Sequence, residues 1–176
     1  MPRSIVRVGV VAVILAAGVI TPNAAAAQCW LPPVNGIVVD PFRQPPCRWC
    51  PGNRGIEYRV GSGATVRAVA AGEVVYSGSV AGVGYVVVRH RDGRRATYGR
   101  LEERLVRRGD AVISRSVVGR AIGTFHFGLR DGDRYLDPAP FLGELVGLTR
   151  LVPVDRSSPR PAGKARVVCG SSQNPR

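Results

Sequence analysis

Few side chains in this chain could carry chemistry, and four of them are the cysteines Cys29, Cys47, Cys50 and Cys169. If the chain is exported, an even number of cysteines favours two disulfides, for which three pairings exist. One pairing joins Cys47 to Cys50 and Cys29 to Cys169, and in the other two Cys47 and Cys50 pair with Cys29 and Cys169. The first would close a short loop and tie the two ends of the mature chain together, which constrains the unfolded state.

The Cys47-x-x-Cys50 spacing also occurs in redox sites and in zinc sites. A structural bridge is favoured over a redox role, because the motif lies in a Pro-rich segment and not at the start of a helix. A zinc site made of all four cysteines is the weaker interpretation, because an oxidising compartment converts thiols to disulfides.

The other candidates are the chain's two histidines, His90 and His126, and the stretch Asn53–Glu57. Two histidines leave no apparent Ser-His-Asp set. His90 follows a β-branched run and is interpreted as structural. The stretch Asn53-Arg54-Gly55-Ile56-Glu57 has the frame of a metal-binding motif, although the amide oxygen of Asn53 is a weak donor to zinc.

Short β-strand patterns, separated by glycines, must position these residues. The predicted strands lie at residues 65–69, 72–78, 85–90, 95–98, 125–130 and 135–136. Turns at Asp92-Gly93 and Asp131-Gly132 predict hairpins. Only Leu101–Arg108 has a pattern compatible with a helix, which Gly109-Asp110 ends. The absence of a long 3.6-residue period predicts an all-β fold, a small antiparallel sheet or barrel-like domain with disulfide-stapled irregular ends.

The N-terminus has the features of a secretory signal peptide over residues 1–27. Arg3 and Arg7 form a basic region before an apolar run of 13 residues, Val8–Ile20. The small alanines at 24–27 suit cleavage by a signal peptidase. An uncleaved anchor is the less favoured alternative, because a membrane-spanning helix needs roughly 20 residues. We therefore expect a secreted or cell-envelope protein.

Composition divides the rest of the chain into three parts. Residues 28–52 form an irregular segment rich in Pro and Cys, residues 53–143 the core domain, and residues 144–176 a basic Pro-rich tail. The composition of the tail predicts little regular structure. Cys169 could nevertheless hold it to the domain.

The chain is strongly basic, with a formal net charge of +13, or +11 without residues 1–27, which carry two arginines and no acidic residue. Every basic residue except Lys164 is an arginine. Either a compositional bias spreads arginine over a solvated surface, or the surface attracts an anionic partner. In an exported protein that partner would be a cell-wall polymer or an acidic lipid surface. Nucleic acid is not expected, because the arginines do not cluster with aromatic residues.

Seven short segments follow one another along the chain in the same order as the sequence motifs of one protein family. In the first three, Asn53–Glu57 stands where the family has His-x-Gly-x-Asp, Gly63–Val74 corresponds to Gly-x-x-Val-x-Ala-x-x-x-Gly-x-Val, and Gly84–His90 corresponds to the next core strand. In the next three, Thr97–Leu101 stands at Tyr-x-His-Leu, Arg108–Val112 at Gly-x-x-Val, and Thr124–Phe127 at His-x-His-Phe. The last, Asp137-Pro138, corresponds to a final Asp-Pro. Through these segments residues 34–143 resemble the domain of the LytM/lysostaphin-type zinc metallopeptidases, metallopeptidase family 23. The resemblance implies enzymes that cut peptide cross-links in bacterial peptidoglycan.

In that family zinc is held by the His and the Asp of His-x-Gly-x-Asp and by the second His of His-x-His-Phe. The first His of His-x-His-Phe and the His of Tyr-x-His-Leu assist the reaction. The resemblance places Asn53, Glu57, His126, Thr124 and Arg100 at these five positions. His126 is unchanged, and Glu57 keeps a carboxylate that is one methylene longer. Thr124 cannot exchange protons near neutral pH, and Arg100 stays protonated and cannot act as a general base.

We therefore interpret the chain as a catalytically degenerate member that binds wall peptide or a cell-wall amidase, as some degenerate members of the family do. Asn53, Glu57 and His126 are weak metal candidates, and the expected cofactor is none unless the chain is an enzyme. Arg100 could pair with Glu57 across the former metal site. Tyr98, Arg100 and His126 are predicted to line a groove.

Two alternatives stay open. In the first, the chain is an active zinc endopeptidase in which Glu57 and His126 hold the metal, completed by Asn53 or by water. In the second, it is a structural wall protein stapled by disulfides, whose groove is filled by side chains.

Overall fold

The computed structural model describes residues 29–47, 49–146 and 166–169. The expected signal peptide and most of the basic tail lie outside the described residues, so the predicted domain bounds remain predictions. Within the described part of the chain, no helix is long and apolar enough to cross a membrane.

Ten strands and one short 3-10 turn make up the described structure. The strands are β1 Ile37–Asp40, β2 Ile56–Arg67, β3 Gly72–Val80, β4 Val83–His90, β5 Arg95–Arg104, β6 Ala111–Val112, β7 Val117–Asp131, β8 Arg134–Leu136, β9 Gly143–Val146 and β10 Arg166–Cys169, and the turn is Ala139–Phe141. The all-β prediction is confirmed.

One antiparallel sheet holds eight of the strands, in the order β1-β2-β7-β5-β4-β3-β6, with β8 beside the far end of β7. The sheet is open at β1 and β6 and is not a closed barrel. β7 is its central strand and spans 15 residues. The other two strands, β9 and β10, form a separate antiparallel pair.

Strand alternation separates a buried face of the sheet from an open face. On β7, Phe125, Phe127 and Leu129 are fully buried, whereas His126 and Arg130 between and after them are half-exposed. The same alternation buries Tyr98 on β5. The core therefore lies on one side of the sheet, and the candidate site lies on the other.

The predicted helix at Leu101–Arg108 is wrong. Leu101–Arg104 instead continues β5, where Leu101 faces Ala121 and Arg104 faces Gly119 of β7. Leu101 is 5% exposed, so pairing with β7 and burial of this side chain outweigh the weak local preference for a helix.

The irregular ends are confirmed in the main, and the structure selects one cysteine pairing. Disulfides join Cys29 to Cys169 and Cys47 to Cys50. A zinc site made of the four cysteines is excluded, because every one of them is bonded to another cysteine. Each end also adds a short strand that was not predicted, β1 from the Pro/Cys-rich segment and β10 from the tail.

Candidate functional site

The sheet register brings two of the candidate metal residues side by side. Glu57 of β2 faces His126 of β7, and His126 faces Gly99 of β5 on its other side. The strand neighbours of Glu57, Ile56 and Tyr58, are buried in the core. Glu57 and His126 therefore project from the open face.

A chain of polar contacts joins Arg100, Glu57 and His126. Nδ1 of His126 lies 2.8 Å from Oε1 of Glu57, and it must donate the hydrogen bond because a carboxylate oxygen accepts. Nε of Arg100 lies 3.4 Å from Oε2 of Glu57. The side chains of Glu57 and His126 are only 15% and 20% exposed, whereas that of Arg100 is 56% exposed. The predicted Arg100–Glu57 pair is present, and the Glu57–His126 bond was not predicted.

Arg100 reaches Glu57 from an unusual backbone position. Its φ is 59°, in the left-handed region that costs a residue with a side chain about 1 kcal/mol. The pairing of β5 with β7 shifts between Gly99 and Leu101, so Arg100 lies in a bulge. Strict alternation after Gly99 would direct Arg100 into the core, and the bulge turns it outward instead.

The glycine of the Asn53–Glu57 motif makes room for the histidine. A Cβ built on Gly55 would lie 2.6 Å from Cε1 and 2.9 Å from Nε2 of His126, and closer still to the carbonyl oxygen of Phe127. Backbone atoms of β7 cannot move aside cheaply. Gly55 is therefore required for the imidazole of His126 to lie against this segment.

Asn53 is a structural residue in this fold. Its Nδ2 donates to the carbonyl oxygens of Asp40 and Pro41 at 3.2 and 3.1 Å, and its Oδ1 accepts from the backbone N–H of Gly55 at 3.2 Å. Because carbonyl oxygens only accept, the orientation of the amide is fixed. Asn53 is 7% exposed. It joins the segment after β1 to the motif and offers its oxygen to the backbone.

The described residues do not fit a catalytic zinc ion, which needs three protein ligands and an open position. Oε2 of Glu57 is buried and accepts no hydrogen bond within the described structure, but the nearby guanidinium of Arg100 would repel a cation. Nδ1 of His126 and the amide of Asn53 are already engaged. Among the residues that the structure describes, no group of three or more His, Cys, Asp or Glu could hold a metal ion.

Tyr98 is not a groove residue, contrary to the prediction. Its side chain is fully buried, and its hydroxyl accepts a hydrogen bond from the backbone N–H of Val69 at 2.9 Å. Burial raises the pKa of Tyr98 above its ordinary range. The reason is strand alternation, which directs Thr97 and Gly99 to the open face and Tyr98 to the core.

Thr124 and His90 make no contribution to the polar chain. Thr124 faces Arg59 of β2, beyond the row that holds Glu57 and His126. His90 is 5% exposed and lies against Trp30 with ring centroids 5.6 Å apart. Its Nδ1 donates to the carbonyl oxygen of Ala71 at 3.0 Å, and burial lowers its pKa. The prediction that His90 is structural agrees with this position.

A cleft of about 460 Å³ continues from His126 along the open face, and we call it the arginine cleft. It is lined by Arg54, Arg95, Thr97, His126, Gly128 and Arg130, among others. Sequence reasoning missed its arginines. Alternation from Gly99 back to Arg95, and from His126 to Arg130, would have placed both on the open face, but only the register shows that they oppose each other.

Comparison with known proteins gives a family. The family model described as Peptidase family M23 matches residues 51–138. The chain is also 34% identical over 89 residues to the Outer membrane antigenic lipoprotein B of Histophilus somni, over 49% of this chain and 25% of that protein. The chain therefore spans about a quarter of the length of this curated relative.

Solved structures share the fold. Csd3 of Helicobacter pylori has a TM-score of 0.59 and 21% identity, over 65% of this chain and 33% of that chain. A chain of the SpoIIQ–SpoIIIAH pore forming complex has a TM-score of 0.58 and 23% identity, over 66% of this chain and 92% of that chain. Identities at this level are evidence for the fold alone.

Proposed function

Since the chain belongs to peptidase family M23, we propose that it is an exported cell-wall domain that binds peptidoglycan peptide without cleaving it. The observation that carries this proposal is the chain of contacts from Arg100 through Glu57 to His126. These residues and Asn53 stand at four of the five positions that the family uses for zinc and catalysis. Here they bind one another or the backbone.

The chemistry of these residues argues against hydrolysis. Peptide hydrolysis needs an activated water and a group that exchanges protons with it. Arg100 cannot accept a proton, and Thr124 has no titratable proton near neutral pH. Zinc would activate a water as a Lewis acid if bound, but Asn53, Glu57 and His126 do not form a suitable set of ligands.

Location in the cell envelope is supported by the likeness to an outer membrane lipoprotein and by the signal-like sequence of residues 1–27. The net charge of +11 without residues 1–27 would add attraction to anionic wall polymer. A partner protein, for example a cell-wall amidase, would use the same open face. One structural neighbour was solved in a complex of two proteins.

One observation favours the alternative of an active zinc endopeptidase, namely the buried Oε2 of Glu57 that accepts no hydrogen bond within the described structure. A metal ion at this oxygen would need Arg100 to swing away. Since Arg100 is 56% exposed, such a movement is sterically open, so the two functions must be separated by experiment.

The test combines metal analysis, melting and digestion on the purified protein. We expect less than stoichiometric zinc, a melting temperature that chelator does not change, and no release of peptides from purified peptidoglycan, which the protein nevertheless sediments with. Glu57→Ala should lower the unfolding free energy by about 1–3 kcal/mol, because it leaves the partly buried Nδ1–H of His126 without an acceptor.

Glu57→Gln is the matched control, since its amide oxygen can still accept from His126. Cleavage of peptidoglycan that disappears in His126→Ala would overturn the proposal and establish the enzyme. A melting temperature that falls on addition of chelator would show that the polar chain is a metal site.

A further inference from the structure

We propose that the arginine cleft is a binding site for a single carboxylate, such as the free end of a short peptide, which Arg95 and Arg130 hold together. This inference deepens the proposed function and rests on it for the class of ligand. The inference rests on the register between β5 and β7, on the ion pairs of the neighbouring arginines, on the partial burial of Arg95 and Arg130, and on the residues that line the cleft.

Arg95 of β5 and Arg130 of β7 are direct partners across the sheet. Cross-strand partners have Cβ atoms about 5 Å apart, and like charges there destabilise a sheet. Both side chains are half-buried, which reduces the screening that water would provide. An anion between the two guanidinium groups would convert this repulsion into two favourable contacts.

Arg95 and Arg130 also form no ion pair with an acidic side chain within the described structure, unlike Arg89 and Arg94 beside them. Arg89, which faces Arg95 from β4, forms an ion pair with Glu73 at 2.8 Å. Further arginines that form ion pairs with an acidic side chain in the described part of the chain are residues 43, 94, 100 and 120. Arg95 and Arg130 differ from the solvated, unpaired arginines of the loops because they are half-buried in a concave site.

The lining of the cleft has three arginines and a histidine but no carboxylate. The third arginine, Arg54, places its guanidinium 5.5 Å from the centre of the Tyr135 ring, and Tyr135 itself faces Arg130 from β8. The larger neighbouring cleft, which Arg54 and Arg130 also line, contains one acidic residue, Asp133. Guanidinium groups bind carboxylates through paired, charge-assisted hydrogen bonds.

The shape of the cleft favours a peptide end over a phosphate polymer. Apart from Arg54, its arginines lie in the single row of Arg95 and Arg130, and the next row on this face consists of Thr97 and Gly128. A polymer with one charge per unit would need a continuous track of cations. Arg130 lies four steps along β7 from His126, roughly 13 Å at 3.3 Å per step, so about four extended residues would reach from the arginines to His126.

The experiment titrates the full exported chain by calorimetry with three probes: N-acetyl-tetraalanine with a free carboxylate, the same peptide as its C-terminal amide, and inorganic phosphate. We expect the free acid to bind about tenfold more tightly than the amide, and Arg95→Gln and Arg130→Gln each to weaken the acid about tenfold. Arg108→Gln, which removes the same charge from an exposed turn, should leave binding unchanged.

Melting curves guard against misfolded variants. Without ligand, Arg95→Gln should melt no lower than wild type, because it removes a like-charge contact. With the free acid present, wild type should gain stability and Arg95→Gln should not.

Equal binding of acid and amide, or undiminished binding by both glutamine variants, would overturn the inference. Binding of phosphate without binding of the free acid would also overturn it, in favour of a phosphate-bearing polymer.

Sedimentation with peptidoglycan separates the two proposals. Sedimentation that is unaffected by Arg130→Gln contradicts only the carboxylate site, whereas binding of the free acid without sedimentation contradicts only the proposed function.

Discussion

Asn53, a candidate metal residue in the sequence, has a structural role in the fold. Its three hydrogen bonds reach the backbone of Asp40 and Pro41 within the Pro/Cys-rich segment and that of Gly55 in the core domain. A short amide at 7% exposure would be costly if its polar atoms were unpaired. Its Nδ2 thus holds the start of the core domain to the end of β1, while its Oδ1, the atom that could bind zinc weakly, accepts from the backbone N–H of Gly55.

His90 gives a prediction at the same scale, for the dependence of stability on pH. Burial lowers its pKa below the ordinary 6.5, whereas the carbonyl of Ala71 and nearby Asp92 oppose that shift. As pH falls below about 6.5, the unfolded chain takes up a proton that the folded chain resists. We expect the free energy of unfolding to decrease through this window, by at most about 1.4 kcal/mol per pH unit for one proton.

Urea unfolding of wild type and His90→Gln at a series of pH values checks this. The slope below pH 6.5 should be smaller in the variant, because Gln does not titrate. His126 and the carboxylates are present in both proteins and cancel in the difference. Identical slopes would mean that His90 takes up its proton equally readily in the folded and the unfolded chain, so that burial does not lower its pKa.

Among the strands, β5 determines that Arg100 reaches Glu57 on the open face. Its first half pairs regularly with β4 and β7, and its bulge at Arg100 then turns that residue to the open face. Alternation in the sequence predicted strands here, but the bulge and the extension to Arg104 depend on pairing with a distant strand. The helix expected at Leu101–Arg108 failed for that reason.

The bulge makes a specific prediction for Arg100, whose φ is 59°. Arg100→Gly should be more stable than Arg100→Ala by about 1 kcal/mol, because both lose the pair with Glu57 and only glycine adopts this conformation without strain. Thermal or urea unfolding of the two variants measures the difference. At Arg59, which has no positive φ, the order should reverse, with alanine the more stable. Equal stability of the two Arg100 variants would show that the bulge carries no strain.

At the scale of the whole molecule, the disulfide between Cys29 and Cys169 links two parts of the chain that are 140 residues apart. It fixes β10 beside β9 and holds Trp30, stacked on Phe141 at 5.5 Å, against the domain. The bridge between Cys47 and Cys50 spans three residues and acts only on its own loop. The two bridges therefore differ in what they constrain.

Chain entropy predicts how much each bridge contributes. Replacing Cys29 and Cys169 together with Ser should lower the free energy of unfolding by about 5 kcal/mol, and replacing Cys47 and Cys50 by about 2 kcal/mol. Denaturant unfolding of the two double variants against wild type tests this order. A larger loss from the Cys47–Cys50 variant would mean that its loop supports the core directly.

The sequence alone determined the strand-rich class, the family frame and which residue types stand at the five positions compared with the family, because residue identity and local alternation carry that information. The tertiary structure alone decided which cysteines pair, that Tyr98 lies in the core, and that Asn53 bonds to the backbone. It also decided that Arg100, Glu57 and His126 form one chain of contacts, and that Arg95 faces Arg130. These facts depend on register and bulges, which contacts between distant parts of the chain set.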